Sequence, residues 1–188
     1  MQRLIVLVDR NPIRKVLELQ PVSALPSISF RFKLEQASPV RALALTADGL
    51  WHVGGALVDS AGGWLHSARW LTRGWQLDPD PGPDQRADVQ LGRTRCRAAC
   101  DAAARLRVRV RVRIMHPMDT GLVGGIPAFY VSRLAVRDGL DRELLRIQTF
   151  EPVSENPVFS FEFATPPNGP LRITGLDNNG NRIDSRID

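Results

Sequence analysis

The clearest fold signal in the chain is Leu106-Arg-Val-Arg-Val-Arg-Val-Arg-Ile114, in which apolar and charged side chains alternate without interruption. Because successive side chains of a β-strand point to opposite faces, this pattern predicts a strand with one buried face and one arginine face. The same alternation recurs in Ile28-Ser-Phe-Arg-Phe-Lys-Leu34 and Val158-Phe-Ser-Phe-Glu-Phe163. Hairpin-type turns at Ala47-Asp-Gly49 and Asp177-Asn-Asn-Gly180 follow candidate strands. Short strands at this spacing favour an antiparallel β-sandwich over a βαβ fold.

The patterning is lost between residues 64 and 105. Three of the four tryptophans fall between Trp64 and Trp75, and the proline-rich run Asp78–Asp84 excludes a helix or a central strand. We therefore divide the chain into strands at 1–63, an irregular linker at 64–105, and a β-sandwich at 106–188. The linker should be the most weakly packed part of the protein.

Composition excludes several classes of protein. The chain has 188 residues, 43% of them apolar, and no run approaches the roughly 18 apolar residues of a membrane helix. The net charge of +5 is local, because residues 64–113 carry 11 Arg against 5 acids. The arginines between Arg107 and Arg113 fit a solvated strand face, with no aromatic residues among them for base stacking. We expect no nucleic-acid partner and no membrane span.

Few residues suggest catalysis or metal binding. Cys96 and Cys100 could share one helix face, but His52, His66 and His116 are scattered and supply no second ligand pair. The chain contains no Gly-x-Ser-x-Gly motif and no phosphate-cradling loop. We expect a protein that is not an enzyme and that has no metal and no cofactor.

One loop allows two interpretations from its residues. His116-Pro-Met-Asp-Thr-Gly121 could be a structured turn, with Pro117 fixing φ, Asp119 and Thr120 capping, and Gly121 in the tight position. It could also be an interaction loop that includes Met118.

A series of short motifs runs in order along the C-terminal half: His116–Gly121, Ile126-Pro127, Pro152-Val-Ser-Glu-Asn-Pro157, Phe159-Ser-Phe161 and Asp177-Asn-Asn-Gly180. In these residues the C-terminal half resembles SoxZ of the thiosulfate-oxidation system. The N-terminal half resembles the core of SoxY in Val8-Asp-Arg-Asn-Pro12, Ile28-Ser-Phe-Arg31, Val40-Arg-Ala42, Asp48-Gly49 and Ala61-Gly-Gly63. This order is similar to the fused SoxYZ-like carriers associated with quinoprotein dehydrogenases.

The resemblance implies an all-β fold of two immunoglobulin-like β-sandwich domains in the periplasm, the first one truncated here. It implies a non-enzymatic carrier that holds sulfur intermediates on the cysteine of a Gly-Gly-Cys arm. The partners would be Sox-type redox enzymes or a quinoprotein dehydrogenase system, with an intramolecular SoxY–SoxZ-like contact. His116–Gly121 and the Pro152–Pro157 loop, with Asn156 and Pro157, would be contact surfaces.

The chain departs from this family at the arm. Gly62-Gly63 is followed by Trp64 where the carrier cysteine should come. GC-rich codons chosen for Gly63 to Trp70, read one base forward, give Ala-Gly-Cys-Thr-Ala-Pro-Ala. We therefore expect a frame disruption near Gly63, restored around residues 95–106, and a carrier that is impaired as written. We also expect no signal peptide in the chain as written, because Leu4–Val8 is shorter than the roughly 7–15 residues of an h-region.

Two alternatives remain. Residues 64–105 could be a genuine linker in which Cys96 or Cys100 has become the carrier thiol, and Arg95 and Arg97 would favour the thiolate of Cys96. The protein could instead be a structural or protein-interaction β-sandwich without covalent chemistry. A sulfur adduct on one cysteine would distinguish a carrier from such a module.

Overall fold

The computed structural model describes residues 1–59 and 107–187, together with the backbone of three short strands between these ranges. All of the described secondary structure is β-strand, which confirms the predicted all-β class. The strands are β1 (Arg3–Val8), β2 (Lys15–Pro21), β3 (Ile28–Phe32), β4 (Ser38–Leu45), β5 (Trp51–Val58), β6 (His66–Trp70), β7 (Trp75–Leu77), β8 (Gln90–Thr94), β9 (Arg107–Arg113), β10 (Val131–Arg137), β11 (Glu143–Thr149), β12 (Val158–Phe163), β13 (Leu171–Asp177) and β14 (Arg182–Ile187).

The strands form two antiparallel sheets, and strands from both ends of the chain contribute to each. The larger sheet has the order β14-β13-β10-β11-β2-β1-β4-β5, and the smaller has the order β7-β6-β3-β12-β9-β8. Strand β11 pairs with β2, for example at Ile147 and Leu19, and β12 pairs with β3 at Phe161 and Ile28. We call these two pairings the seam, because each joins a strand from residues 1–59 to one from residues 107–187.

The inner faces of the two sheets share one apolar core. The alternation predicted for β3 and β9 is confirmed: Ile28, Phe30 and Phe32 are buried, as are Val110 and Val112. Burying this face of each strand provides the main driving force for association of the sheets. Leu106, at the start of the predicted arginine strand, lies outside the described residues.

The seam is closed by backbone hydrogen bonds beyond the paired strands. Val22 N donates to Leu144 O at 3.1 Å, and Phe150 N donates to Val16 O at 3.1 Å. On the other sheet, Lys33 N donates to Pro152 O at 2.6 Å. The two ends of the chain are therefore joined by continuous sheets.

Most of the predicted irregular linker lies outside the described residues, as do Leu106 and the proline-rich run. Within it, β6 pairs with β3, β7 pairs with β6, and β8 pairs with β9. The division at residues 63 and 105 stays a prediction. Among the described residues, no helix could cross a lipid bilayer.

Candidate functional site

The loop His116–Gly121 follows directly from the arginine strand β9 and is tied to the loop before β12. Ile114 N donates to Pro157 O at 3.0 Å, and Asn156 N donates to His116 O at 2.8 Å. In return, His116 N donates to Asn156 Oδ1 at 3.2 Å. The structure thus brings together the two loops that the sequence singled out separately.

His116 lies inside this loop and is only 8% exposed. Its Nδ1 accepts a hydrogen bond from Met118 N at 3.1 Å, and its ring lies 4.2 Å from the Phe129 ring centroid. Its Nε2 is 3.8 Å from Asp177 Oδ2, too far for a hydrogen bond. Burial lowers the pKa of His116 below its ordinary value, against the opposing charges of Asp177 and Asp119. The ring therefore acts as a neutral internal brace of the loop.

Asp177 is the acidic group that faces His116 from the β13–β14 turn. Burial by itself would raise the pKa of Asp177, but the hydrogen bonds from Asn181 and Asn179 hold it below its ordinary value. Asp177 Oδ1 accepts from Asn179 N at 2.9 Å and from Asn181 N at 2.8 Å. The predicted turn Asp177–Gly180 is thus closed around an ionised carboxylate.

The remainder of the loop is a tight turn. Met118 is fully buried with φ 54°, and its sulfur accepts a hydrogen bond from Val131 N at 3.3 Å. Asp119 and Phe129 exchange two backbone hydrogen bonds of 2.7 and 3.0 Å. Gly121 has φ 73°, and a Cβ there would lie 2.9 Å from Ala128 N. These contacts support the structured-turn interpretation, while a role in interaction stays a prediction.

A pocket of about 420 Å³ lies beside this turn and joins residues from both ends of the chain. Its lining residues are Asn11, Pro12, Ile13, Lys33, Leu34, Glu35, Asp119, Thr120, Gly121, Leu122, Val123, Ile126 and Pro152. Asn11 holds one wall in place, because its Nδ2 donates to Lys33 O at 2.8 Å. Three large apolar side chains of the lining are exposed: Leu122, Val123 and Ile126.

Lys33 links the pocket to the predicted loop. Its Nζ donates to Met118 O at 2.6 Å across the seam. Burial lowers the pKa of Lys33 below its ordinary value, although the charges of Asp119 and Glu155 oppose the shift. Sequence reasoning missed Lys33, because it follows the alternation of a solvent-facing strand residue and only the fold places it against Met118.

The predicted carrier arm lies outside the described residues, whose N-terminal range ends just after strand β5. Strand β5 ends at Val58, which pairs with Ser38, and Ser38 Oγ accepts a hydrogen bond from Arg10 N at 3.0 Å. Arg10 precedes the pocket residues Asn11–Ile13, so the chain leaves β5 at the end of the molecule that holds the pocket. Gly62, Gly63, Cys96 and Cys100 lie outside the described residues.

Metal binding has no support in the described part of the chain, where no cluster of three or more His, Cys, Asp or Glu side chains could hold an ion. Both predicted candidate thiols lie outside that part. That the protein binds no metal therefore stays a prediction from the sequence.

Comparison with known families identifies both ends of the chain. Residues 1–63 match the family model of sulfur oxidation protein SoxY, and residues 98–188 match that of sulphur oxidation protein SoxZ. The chain is a fused SoxY/SoxZ-like protein. No curated protein matches it significantly.

The family matches show which two parts of the protein meet at the seam. Strands β1–β5 belong to the SoxY-like part and β9–β14 to the SoxZ-like part, so the seam is the contact between the two. The pocket lies at this contact and takes its lining from both parts. Such a protein has a role in binding or carrying sulfur intermediates and interacts with other proteins of a Sox system.

Proposed function

We propose that this fused SoxY/SoxZ-like protein is a non-enzymatic carrier of sulfur intermediates in a thiosulfate-oxidation-type system, impaired because the Gly-Gly-Cys arm is not present. The observation that carries the proposal is the pair of SoxY and SoxZ matches in one chain, joined by continuous strand pairing at the seam. A carrier needs a stable body from which an arm can reach several active sites. Two sheets that share one core provide such a body.

The chemistry of the carrier depends on a thiolate. A thiolate is the nucleophilic form of cysteine, and adjacent glycines give its arm conformational freedom. Here Gly62-Gly63 is followed by Trp64, and the two cysteines of the chain are Cys96 and Cys100. Impairment follows if neither cysteine can replace the missing one.

Partners and compartment follow from the family. Sox proteins are generally periplasmic, and the partners would be Sox-type redox enzymes or a quinoprotein dehydrogenase system. Within this proposal the His116–Gly121 and Pro152–Pro157 loops are contact surfaces. The side chains that follow the first loop support this, because Leu122, Val123 and Ile126 are apolar and exposed at the pocket. Exposed apolar groups beside a polar rim are typical of protein contacts.

The experiment compares sulfur adducts in cells that oxidise thiosulfate. The wild-type chain, Cys96→Ser, Cys100→Ser and the arm-restoring variant Trp64→Cys are expressed, trapped rapidly with an alkylating reagent and mapped by mass spectrometry. We expect a persulfide or thiosulfonate on the introduced cysteine of Trp64→Cys and none on the wild-type chain. An adduct on wild-type Cys96 that is lost in Cys96→Ser would show that the carrier is not impaired.

A second candidate function is a protein-interaction module without covalent chemistry. The pocket with its exposed apolar side chains favours it, because that feature needs no thiol. Absence of an adduct from every variant, including Trp64→Cys, would support this alternative. Resequencing the gene through the codon for Arg113 would show directly whether a base has been gained or lost near Gly63.

A further inference from the structure

The outer face of the smaller sheet carries a row of arginines on β9. Val110 and Val112 of this strand are buried, so Arg107, Arg109, Arg111 and Arg113 point to the opposite face. Strand β9 lies between β12 and β8. The arginines therefore stand in the interior of the sheet face and not along its edge.

One carboxylate pairs with the two arginines at one end of the row. Glu162 lies opposite Arg109 in the β12–β9 register. Its Oε1 accepts hydrogen bonds from Arg109 Nε at 3.1 Å and Nη2 at 2.8 Å, and its Oε2 lies 3.6 Å from Arg107 Nη1. This end of the row shows how the face binds a carboxylate, with both nitrogens of one guanidinium edge on one oxygen.

At the other end of the row, the described part of the chain supplies no such partner. Arg111 lies opposite Ser160, and Arg113 lies opposite Val158. Within residues 1–59 and 107–187, neither guanidinium has a carboxylate oxygen within 4.0 Å. Arg113 Nε is also buried without a hydrogen-bond acceptor. Arg111 and Arg113 are nevertheless both partly exposed, so the face around them is open to an incoming acceptor.

We propose that the outer face around Arg111 and Arg113 is a docking surface for a protein partner that presents carboxylates. The charge of the face is complementary to such a partner, and the planar guanidinium matches the geometry of a carboxylate. Two residues along a strand span roughly 6.6–6.8 Å, so Arg111 and Arg113 would take two separate carboxylates. The exposed Met115 continues this row beyond the strand and adds an apolar contact.

A nucleic acid is the less suitable occupant of this face. The outward residues of β9 and β12 in the described structure are arginines, Val158, Ser160 and Glu162, and none is aromatic. Single-stranded nucleic acids are bound chiefly by stacking on aromatic side chains in a basic groove. The docking surface goes beyond the proposed carrier role, because carboxylate binding does not involve a thiol.

The test measures binding of the full chain to immobilised poly-L-glutamate by biolayer interferometry. The variant Arg111→Glu/Arg113→Glu is compared with Arg133→Glu/Arg182→Glu, which makes the same change in net charge on the larger sheet. Arg133 and Arg182 are exposed and, in the described structure, unpaired, so they form a matched control. We expect the first variant to weaken binding at least about tenfold relative to the second, with the difference reduced by salt.

Equal weakening by both double variants would overturn the proposal, since it would show a dependence on net charge alone. Tighter binding to polyphosphate than to poly-L-glutamate would overturn the choice of a protein carboxylate. If circular dichroism shows that the glutamate variant fails to fold, the same comparison is made with glutamine variants: Arg111→Gln/Arg113→Gln against Arg133→Gln/Arg182→Gln. The variant Cys96→Ser/Cys100→Ser should bind normally, which separates this result from a failure of the carrier proposal.

Discussion

The strand pairing at the seam predicts that the SoxY-like and SoxZ-like parts unfold together. Ile28 and Phe161 are register partners across the seam, one from each part, with exposures of 0% and 1%. Ile28→Val removes one buried methylene, which costs about 0.5–1.5 kcal/mol, and Phe161→Ala costs about 3–5 kcal/mol. In a chain of this length each kcal/mol of lost unfolding free energy lowers the Tm by about 2–4 °C.

The assay is thermal and urea unfolding followed by circular dichroism and tryptophan fluorescence. We expect one transition by both probes, shifted as a whole by either substitution, and a coupling energy of about 0.5–3 kcal/mol in the double variant. The exposed Val53→Ala serves as the control, with a change within about 0.5 kcal/mol. Two separate transitions, with Ile28→Val moving one and Phe161→Ala the other, would refute the reasoning.

Three further outcomes are expected. The lowered pKa of His116 means that the unfolded chain binds more protons than the folded chain, so stability falls as pH drops below about 6.5. Urea unfolding between about pH 7.5 and 5.5 should therefore show a weaker dependence of the unfolding free energy on pH for His116→Asn than for the wild-type chain. Gly121→Ala should lower the free energy of unfolding by more than about 1 kcal/mol in thermal unfolding, because Gly121 has a positive φ and lies close to Ala128. Gly124→Ala should lower it by less than that. Glu162→Gln should cost about 1.5 kcal/mol in urea unfolding at low salt, by weakening its bonds to Arg109.

The proposed function and the docking surface occupy different parts of the protein. The pocket lies at the seam beside Lys33 and Gly121, whereas Arg111 and Arg113 face outward from the smaller sheet. The loop at His116 follows directly from the strand that carries both arginines. A partner on the arginine face would therefore lie near the loop, although binding there needs no contribution from a cysteine.

Much of the fold follows from local alternation in the sequence. Strands β3, β9 and β12 were predictable because each has one buried and one outward face, which gives a period of two. Strands β2 and β11 lack that pattern. Val16 and Leu17 are adjacent and both buried, and so are Leu144 and Leu145.

The position of β2 and β11 explains the loss of the pattern. They are the two central strands of the larger sheet, and adjacent residues on them, which point to opposite faces, are both buried. Glu18 on β2 illustrates this, since it is 7% exposed beneath ion pairs with Arg3 and Lys15. Such strands cannot be identified by alternation. Their pairing with each other is the part of the seam that lies in the larger sheet.

The sequence by itself determined the β class, the turns and the family of each end, because these depend on neighbouring residues and on short motifs. It also singled out His116–Gly121 and Asn156-Pro157, but as separate features. Only the tertiary structure decided that His116 is an internal brace, that Lys33 contacts Met118, and that Glu162 pairs with one end of the arginine row. Each of these contacts joins residues brought together by strand pairing, and register across a seam depends on the packing of the whole core and not on local sequence.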